Sequence, residues 1–515
     1  MTVETASTRR GDAAVVRRIW RLHFWVGLFV APVLMVLACS GLIILYSQPL
    51  DRWLNGDLLV VAETSRTVPL DEQVALATER AGEGYVLDAV IPPPAPDRST
   101  RVDFAAADAS GGETNVLQVF VDPYTGAYLG ARDQLSGLVG WANQVHRMFG
   151  NDAPQLRLPS LGHLIAPGAY PEATLSVGVG NVLMEIAAVW VLVLVASGVF
   201  LWWPRAVEAA KPLLRVRWRR GGRVRWRDVH ALTGVVLAVV VGGYVLSGLT
   251  WSRYWGENWR ALSATVAPSV SVDAPSTPAT MGDRDRLGRR IAWAAADDPV
   301  YASAPAGPTA RPISLADVER IAGQEGMVAG YAIIPPSNSV VDGAPVWGSY
   351  TVVNAWPQRL SEQRTLYLDQ FTGETITNAT SAQDGALTRL TSFGIAVHMG
   401  NQYGVLTRIT ATAVCIGVFL SVTTGFLMWW KRRPTGGTGL PAPSDGETVD
   451  ATPRRAVVTV VAAAGVMGVL FPTFGATLLV VLAVELVVAR RRRRDLPDGD
   501  TRLAESVDSV GGRHG

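Results

Sequence analysis

Six apolar stretches alternate with long polar segments along the chain. Their positions are 24–46, 184–203, 231–250, 410–430, 456–471 and 473–489. A hydrocarbon core of about 30 Å requires roughly 20 apolar residues in a helix. The first four stretches are therefore predicted to span a membrane. The last two are shorter and meet at Pro472, so they are predicted to form a tight transmembrane hairpin.

Basic residues predict the side of the membrane on which each polar segment lies. They cluster before the first stretch, between the second and third, after the fourth and after the sixth. Short basic segments stay in the cytoplasm. The segments expected to be cytoplasmic are 1–23, 204–229, 431–455 and 490–515, and those expected outside are 47–180 and 251–405. This pattern predicts a multi-pass protein of the bacterial cytoplasmic (inner) membrane with both termini inside.

Composition agrees with this prediction and narrows the classes of function. Only 17% of the 515 residues are charged and 49% are apolar, whereas a soluble protein averages about 25% charged residues. The net charge is only +2, but the arginines are concentrated beside the apolar stretches. Such clusters indicate membrane topology, so no nucleic-acid partner is expected. Cys39 and Cys415, the two cysteines, lie inside apolar stretches and suit neither a disulfide framework nor a zinc site. The first stretch is too long for a signal peptide core and is interpreted as an uncleaved anchor.

The first and third stretches share one spacing. His23 is followed by Gly27 and by Ser40-Gly41, and His230 by Gly234 and by Ser247-Gly248, with offsets of +4, +17 and +18 in both. The second and fourth stretches end alike, in Trp202-Trp203 and Trp429-Trp430. Such self-similarity indicates an internal repeat.

The outer segments repeat as well. Each contains a candidate helix, at 70–82 and 314–326, the second opening with the capping pattern Ser314-x-x-Asp317. Each then has an alternating strand and a turn of the form Asp-x-x-Thr-Gly, ending at Gly126 and Gly373. The predicted fold is a polytopic α-helical membrane protein made of two tandem repeats. Each repeat is a transmembrane helix, an extracytoplasmic α+β domain and a returning helix, and the C-terminal hairpin (456–489) follows them.

Four of the six histidines occupy equivalent positions in the repeats. His23 and His230 open the outgoing helices, and His146 and His398 precede the returning ones. A pseudo-twofold axis along the membrane normal would bring His23 opposite His230 and His146 opposite His398. Two facing neutral imidazoles in a helical bundle suit the axial positions of haem iron. Two b-type haems are therefore predicted, because the chain has no Cys-x-x-Cys-His motif for covalent attachment.

Glycines and arginines complete the hypothesis. Positions +4 and +18 lie on the histidine face of a helix, where a flat macrocycle needs patches without side chains. Gly27, Gly234, Gly198 and Gly425 are predicted to flank the inner haem, Gly41 and Gly248 the outer one, and Arg147 is a candidate partner for an outer propionate. Glycine stripes in membrane helices more often indicate only close helix packing. Zinc or copper is disfavoured because no carboxylate or thiol repeats beside the histidines, and His163, His514, Glu185 and Glu485 receive no role.

At these residues the chain resembles the PepSY-associated transmembrane family, which includes iron-regulated membrane proteins and ferric-siderophore reductases. The resemblance covers roughly 15–433 and rests on the histidine, turn and Trp-Trp motifs above. It implies PepSY-like outer domains and a di-haem protein that passes electrons outward to reduce siderophore-bound iron. Two segments depart from the usual pattern, the extra stretch 151–180 and the hairpin 456–489.

Three functions remain open at this point. The first is a transmembrane oxidoreductase that reduces ferric chelates for iron uptake, with a quinol or a separate cytoplasmic carrier as the electron donor, since no Gly-x-Gly-x-x-Gly motif is present. The second is a non-enzymatic protein whose PepSY-like domains bind or regulate an extracytoplasmic partner such as a peptidase. The third is a transporter for iron chelates, although the apolar stretches lack broken, charged helices at the midplane.

Overall fold

The chain was analysed as a computed structural model. It describes residues 3–107, 116–150, 153–208, 216–219, 222–270, 272–284, 291–305, 307, 309–354, 357, 359–434, 437–441 and 454–495. The chain forms two compact units, one of residues 18–442 and one of residues 1–17 with 443–515. His514 and parts of the segment 204–229 lie outside the described residues.

Four long helices form the membrane part of the chain. They are α1 (Val3–Leu45), α7 (Val179–Glu208), α8 (Arg223–Leu249) and α13 (Val405–Trp430). Their apolar portions, Ala13–Leu45, Val179–Trp203, Arg223–Leu249 and Val405–Trp430, are the four in the described chain that are long and apolar enough to cross a membrane. The predicted spans end within one residue of these apolar portions and begin 5 to 11 residues later than they do. The chain is a multi-pass membrane protein.

Shorter helices lie between and after these four. Their bounds are α2 (Ser47–Leu54), α3 (Gly56–Leu59), α4 (Leu70–Ala81), α5 (Gly137–Met148), α6 (Leu161–Ile165), α9 (Tyr254–Val266), α10 (Met281–Arg284), α11 (Leu315–Gln324), α12 (Ala386–His398), α14 (Arg454–Leu470) and α15 (Pro472–Asp495). Helices α14 and α15 belong to the smaller unit, and their apolar parts are shorter than those of the four long helices. Their transmembrane hairpin stays a prediction.

The four long helices pack through small branched side chains. Val26 of α1, Val191 of α7, Val241 of α8 and Val414 of α13 belong to one buried cluster. Valine at these positions lets the helix axes approach closely, because its side chain ends at the γ-carbons. We call residues 18–203 the first half and residues 223–432 the second half.

The segments predicted to lie outside the membrane contain much β-structure, so the prediction of an α-helical membrane protein describes only part of the fold. The strands are β1 (Tyr85–Ile91), β2 (Thr100–Ala106), β3 (Val116–Val121), β4 (Tyr128–Asp133), β5 (Gln155–Pro159), β6 (Thr174–Gly178), β7 (Ser276–Thr280), β8 (Pro299–Ser303), β9 (Ala332–Ile334), β10 (Ser339–Val341), β11 (Ala344–Gly348), β12 (Tyr350–Asn354), β13 (Arg364–Leu368) and β14 (Thr375–Thr380). They form an eight-stranded sheet in the order β14-β13-β12-β9-β1-β2-β3-β4, a four-stranded sheet β10-β11-β8-β7 and the hairpin β5-β6.

The eight-stranded sheet joins the two halves, which were predicted to form two outer domains. Strands β1 and β9 pair antiparallel, with Val90 opposite Ile333. Both residues are fully buried in a core that includes apolar residues of α4 and α11. Their neighbours Ala89 and Ile334 point to the opposite face and are buried in a second core. Because both faces are covered, these strands are apolar at successive positions.

The local elements predicted for the outer segments are present. Helices α4 and α11 occupy the predicted ranges, and the Ser314 hydroxyl accepts the Asp317 N–H at 3.0 Å, as a cap should. Gly126 and Gly373 have φ of 71° and 74°, a conformation that favours glycine at the end of a turn.

Candidate functional site

Two histidines face each other near one end of the membrane bundle. His23 lies on α1 and His230 on α8, and their ring centroids are 6.3 Å apart with planes inclined at 78°. Both rings are half-buried. We call these residues the inner pair.

A second pair has nearly the same geometry. His146 lies in the last turn of α5 and His398 is the last residue of α12. Their ring centroids are 6.4 Å apart and their planes are inclined at 75°. Gly150 and Gly400, with φ of 78° and 75°, turn the chain just after each histidine. We call these residues the outer pair.

In the first half, each histidine rests on a Ser-Gly dipeptide of another helix. The Nδ1 atom of His23 is 3.0 Å from the Ser197 hydroxyl of α7. The Nδ1 atom of His146 is 3.1 Å from the Ser40 hydroxyl of α1. The ring of His23 therefore lies against α7, and the ring of His146 against the outer end of α1.

The second half repeats this arrangement. The Nδ1 atom of His398 is 3.1 Å from the Ser247 hydroxyl of α8 and 2.9 Å from the Tyr244 carbonyl. The Nδ1 atom of His230 is 3.3 Å from the Thr424 hydroxyl of α13 and 3.0 Å from the Ser421 carbonyl. In both cases the carbonyl belongs to the residue three positions before the hydroxyl, so one turn of helix offers two acceptors.

These hydrogen bonds determine the tautomer of the rings. The Ser197 hydroxyl donates to the Leu194 carbonyl at 2.9 Å, and the Ser40 hydroxyl donates to the Val36 carbonyl at 2.8 Å. A hydroxyl has one proton, so a hydroxyl that donates to its own helix accepts from the histidine. This arrangement favours the tautomer with the proton on Nδ1 and a lone pair on Nε2. The Ser247 and Thr424 hydroxyls donate to carbonyls of their own helices in the same way.

The glycine of each dipeptide makes room for a ring. A Cβ atom on Gly41 would lie 3.2 Å from Cε1 of His146, and one on Gly198 would lie 3.1 Å from Cε1 of His23. The corresponding distances are 3.1 Å for Gly248 with His398 and 3.4 Å for Gly425 with His230. All but the last are closer than ordinary van der Waals contact, so an alanine would push those three rings outward.

The two glycines one turn beyond the inner pair have different surroundings. A Cβ on Gly27 would meet only the end of the Leu194 side chain, at 3.5 Å. A Cβ on Gly234 would meet nothing within 4 Å. These glycines do not touch the histidines, and Gly234 borders open space.

The ring spacing fits a metal ion held between two imidazoles. Metal–imidazole nitrogen bonds are about 2.0–2.1 Å long and the nitrogen lies about 1.1 Å from the ring centre, so opposed ligands have centres about 6.3 Å apart. Among the described residues no group of three or more His, Cys, Asp or Glu side chains could hold a metal. Each pair thus offers two nitrogen ligands, which suits the axial positions of haem and leaves the four-coordinate requirement of zinc unmet.

The surroundings of the outer histidines favour the neutral form of both rings. Burial, with contributions from His398 and Arg147, lowers the pKa of His146 to about 4. Burial also lowers the pKa of His398. A neutral imidazole with a free Nε2 lone pair is the form that binds metal.

Most of the chain matches a known family. Residues 20–432 match the family described as PepSY-associated TM region. The chain belongs to this family. No curated protein matches the chain.

In this PepSY-associated TM protein the outer pair forms although a further segment follows His146. Residues 153–180, the described part of that segment, include the hairpin β5-β6 and α6, and the Leu161 N–H donates to the Asn258 side chain of α9 at 2.8 Å. His163 lies in this hairpin, where its Nδ1 is 2.9 Å from the Tyr170 carbonyl. This contact connects α6 with the turn that follows it.

Several residues important to this family member's site were missed by sequence analysis. They are the hydroxyl residues Ser40, Ser197, Ser247 and Thr424, and Tyr244, whose ring lies 5.2 Å from that of His398. The available signal was a hydroxyl residue directly before a glycine in all four long helices. Ser40 and Ser247 were noticed as a repeat, but their partners could not be assigned, because each hydroxyl is more than 100 positions from its histidine.

Proposed function

We propose that this protein carries two b-type haems and conducts electrons across the membrane to ferric chelates on its outer side. The observation behind the proposal is the inner and outer pairs, whose ring centroids are 6.3 and 6.4 Å apart, the spacing of opposed metal ligands. His23 and His230 would hold the inner haem iron, and His146 and His398 the outer one. Bound haem supplies reversible one-electron transfer.

The separation of the pairs supports an electron path. His23 and Ser40, which belong to the inner and outer sites, lie 17 positions apart on α1, about 26 Å at 1.5 Å per residue. Two carriers at this separation divide the hydrocarbon thickness of about 30 Å into shorter steps. The bundle between them excludes water, because valines fill its core.

The proposal includes a tandem-repeat origin for the two halves. Each half has the same order: a long helix with its histidine, an outer helix with its histidine, and a second long helix. Within each half the rings are held by hydroxyl-glycine dipeptides of that same half. The basic segments favour an orientation with the inner pair and both termini on the cytoplasmic side of the bacterial inner membrane.

The surroundings of Gly234 and Arg147 support the roles predicted for them. Gly234 borders open space beside the inner pair, as a glycine facing a flat macrocycle would. Arg147 follows His146 and its charge acts on that ring, so it is placed to pair with an outer propionate. Gly198 and Gly425 lie against the inner histidines, and Gly41 and Gly248 lie against the outer ones. Gly27 lies one turn beyond His23 on α1, and these glycines would flank the two haems.

The substrate is assigned to the outer side because the large sheet and the outer pair belong to the same segments. Helices α5 and α12 follow β4 and β14, the two edge strands of that sheet. A ferric siderophore held there would be next to the outer site. Reduction to Fe(II) weakens binding by hard oxygen ligands, so electron delivery releases the iron. The electron donor would be a quinol or a cytoplasmic carrier.

A reoxidation experiment tests this function. Chemically reduced protein in right-side-out proteoliposomes is mixed with external ferric siderophore and an Fe(II) trap in a stopped-flow spectrometer. We expect haem reoxidation with matching Fe(II) release. The His146→Ala variant should keep a reducible inner haem and lose this reaction.

Two results would contradict the proposal. Purified protein that contains no haem would contradict the assignment of both haem sites. Haem that stays reduced against chemically different ferric chelates would exclude the reductase activity and favour a regulatory role for the outer domains.

A further inference from the structure

The four histidine rings are held by one recurring device. In each case Nδ1 meets a hydroxyl within 3.3 Å, and Cε1 lies against the next residue, a glycine. Nδ1 and Cε1 are adjacent atoms on one edge of the ring. Contacts at both atoms fix the rotation of the ring about its Cβ–Cγ bond, whereas a single hydrogen bond would leave this rotation loose.

Both pairs have nearly the same angle between their ring planes. The angle is 78° in the inner pair and 75° in the outer pair. The inner rings come from two long helices, whereas the outer rings come from the ends of short helices. Backbones this different would not give equal angles unless the local contacts at the rings set them.

We infer that Ser40, Ser197, Ser247 and Thr424, with the glycines that follow them, are positioning residues that keep the two imidazole planes of each pair nearly perpendicular. This inference rests on the proposed function, since it concerns rings that would ligate haem iron. It assigns to these dipeptides a role beyond helix packing, namely control of the electronic structure of the metal.

The consequence follows from ligand-field chemistry. Each imidazole plane directs π interaction at one of two iron d orbitals. Parallel planes act on the same orbital, separate the two energies and give a rhombic low-spin spectrum. Perpendicular planes act on both orbitals, keep the energies nearly equal and give a highly anisotropic low-spin spectrum. Electron paramagnetic resonance of the oxidised protein therefore reports the angle without requiring turnover.

The experiment is low-temperature electron paramagnetic resonance of oxidised full-length protein in detergent, with haem content measured on the same samples. We expect two highly anisotropic signals in the wild type. Ser40→Ala/Ser247→Ala should shift only the outer signal toward a rhombic shape. Ser197→Ala/Thr424→Ala should shift only the inner signal, so each site serves as the control for the other.

Conservative and steric variants separate positioning from general stability. Ser40→Thr/Ser247→Thr should keep the anisotropic signal, because a threonine hydroxyl already serves His230. Gly41→Ala or Gly248→Ala should shift the outer signal, since the added Cβ lies 3.2 or 3.1 Å from a ring carbon. Gly243→Ala on α8, where a Cβ meets nothing within 4 Å, is the matched control.

The outcomes distinguish this inference from the proposed function. A protein without haem contradicts both. A protein with two haems and rhombic signals in the wild type contradicts the positioning inference alone. The positioning inference is also contradicted if the serine and threonine double variants to alanine keep their full haem content and show unchanged spectra. If the glycine variants fail to accumulate, the serine variants decide between these results.

Discussion

The Glu185 carboxylate accepts the backbone N–H of Tyr254, the first residue of α9, at 2.8 Å and that of Trp255 at 3.1 Å. Glu185 is 2% exposed and lies on α7, in the first half, whereas α9 belongs to the second half. The first N–H groups of a helix lack intrahelical partners and attract negative charge. Glu185 therefore caps the first turn of a helix in the other half. Sequence analysis had assigned no role to Glu185.

Replacing Glu185 should lower stability. Glu185→Leu removes the acceptor for two buried N–H groups and should cost about 1–2 kcal/mol. Glu185→Gln keeps one carbonyl oxygen and should cost less. Thermal unfolding in detergent measures the difference in stability. The variant Glu485→Gln, at an exposed position, is the control. Equal melting temperatures for Glu185→Leu and wild type would contradict the capping role.

Single histidine variants should remove one haem each. His23→Ala or His230→Ala should lower haem content by about half and spare the outer site, because one axial ligand cannot retain the group. His146→Ala or His398→Ala should spare the inner site. The measurement is the pyridine haemochrome spectrum per mole of protein, and His163→Ala, which changes a turn histidine, is the control. Wild-type haem content in all four variants would exclude these ligands.

Asp298 should make stability depend on pH. Burial and the nearby carboxylates of Asp384 and Asp297 raise the pKa of Asp298 to about 7. The unfolded chain releases this proton near the ordinary value of 3.8, so the folded state binds more protons between these values. Stability should therefore fall as pH rises from about 4 to 7.

The variant Asp298→Asn should flatten this pH dependence and raise the melting temperature above pH 7, since the amide has no proton to lose. Asp273→Asn, at an exposed position, is the control. Melting temperatures measured at intervals from about pH 4 to pH 8 test the idea. If the melting temperature of Asp298→Asn depends on pH as steeply as that of the wild type, other groups cause the pH dependence.

Reporter fusions should reveal the orientation. Fusions after Trp203 and after Trp430 should report the cytoplasm, because the adjacent arginines resist translocation. Fusions within 60–140 or 280–390 should report the outside. An external signal from the segment 204–229 would reverse the orientation and assign the His23 site to the outer face.

The sequence by itself determined the elements whose cause is local. Hydropathy alone locates the four long helices, because each must hide its backbone polar groups within about 20 apolar residues. The Asp-x-x-Thr-Gly turns form as predicted because the aspartate accepts N–H groups two and three residues ahead and glycine accepts a positive φ. The equal offsets from His23 and His230 identified which histidines to compare.

Only the tertiary structure decided which residues hold those histidines and how the halves join. Ser40 lies on the same helix as His23, yet its hydroxyl serves His146, 106 positions away. Helices α5 and α12 were not predicted, since each is short and only partly apolar. The pairing of β1 with β9 and the contact of Glu185 with α9 connect residues 243 and 69 positions apart, respectively. Such contacts depend on how helices and strands pack, and no pattern within one segment contains that information.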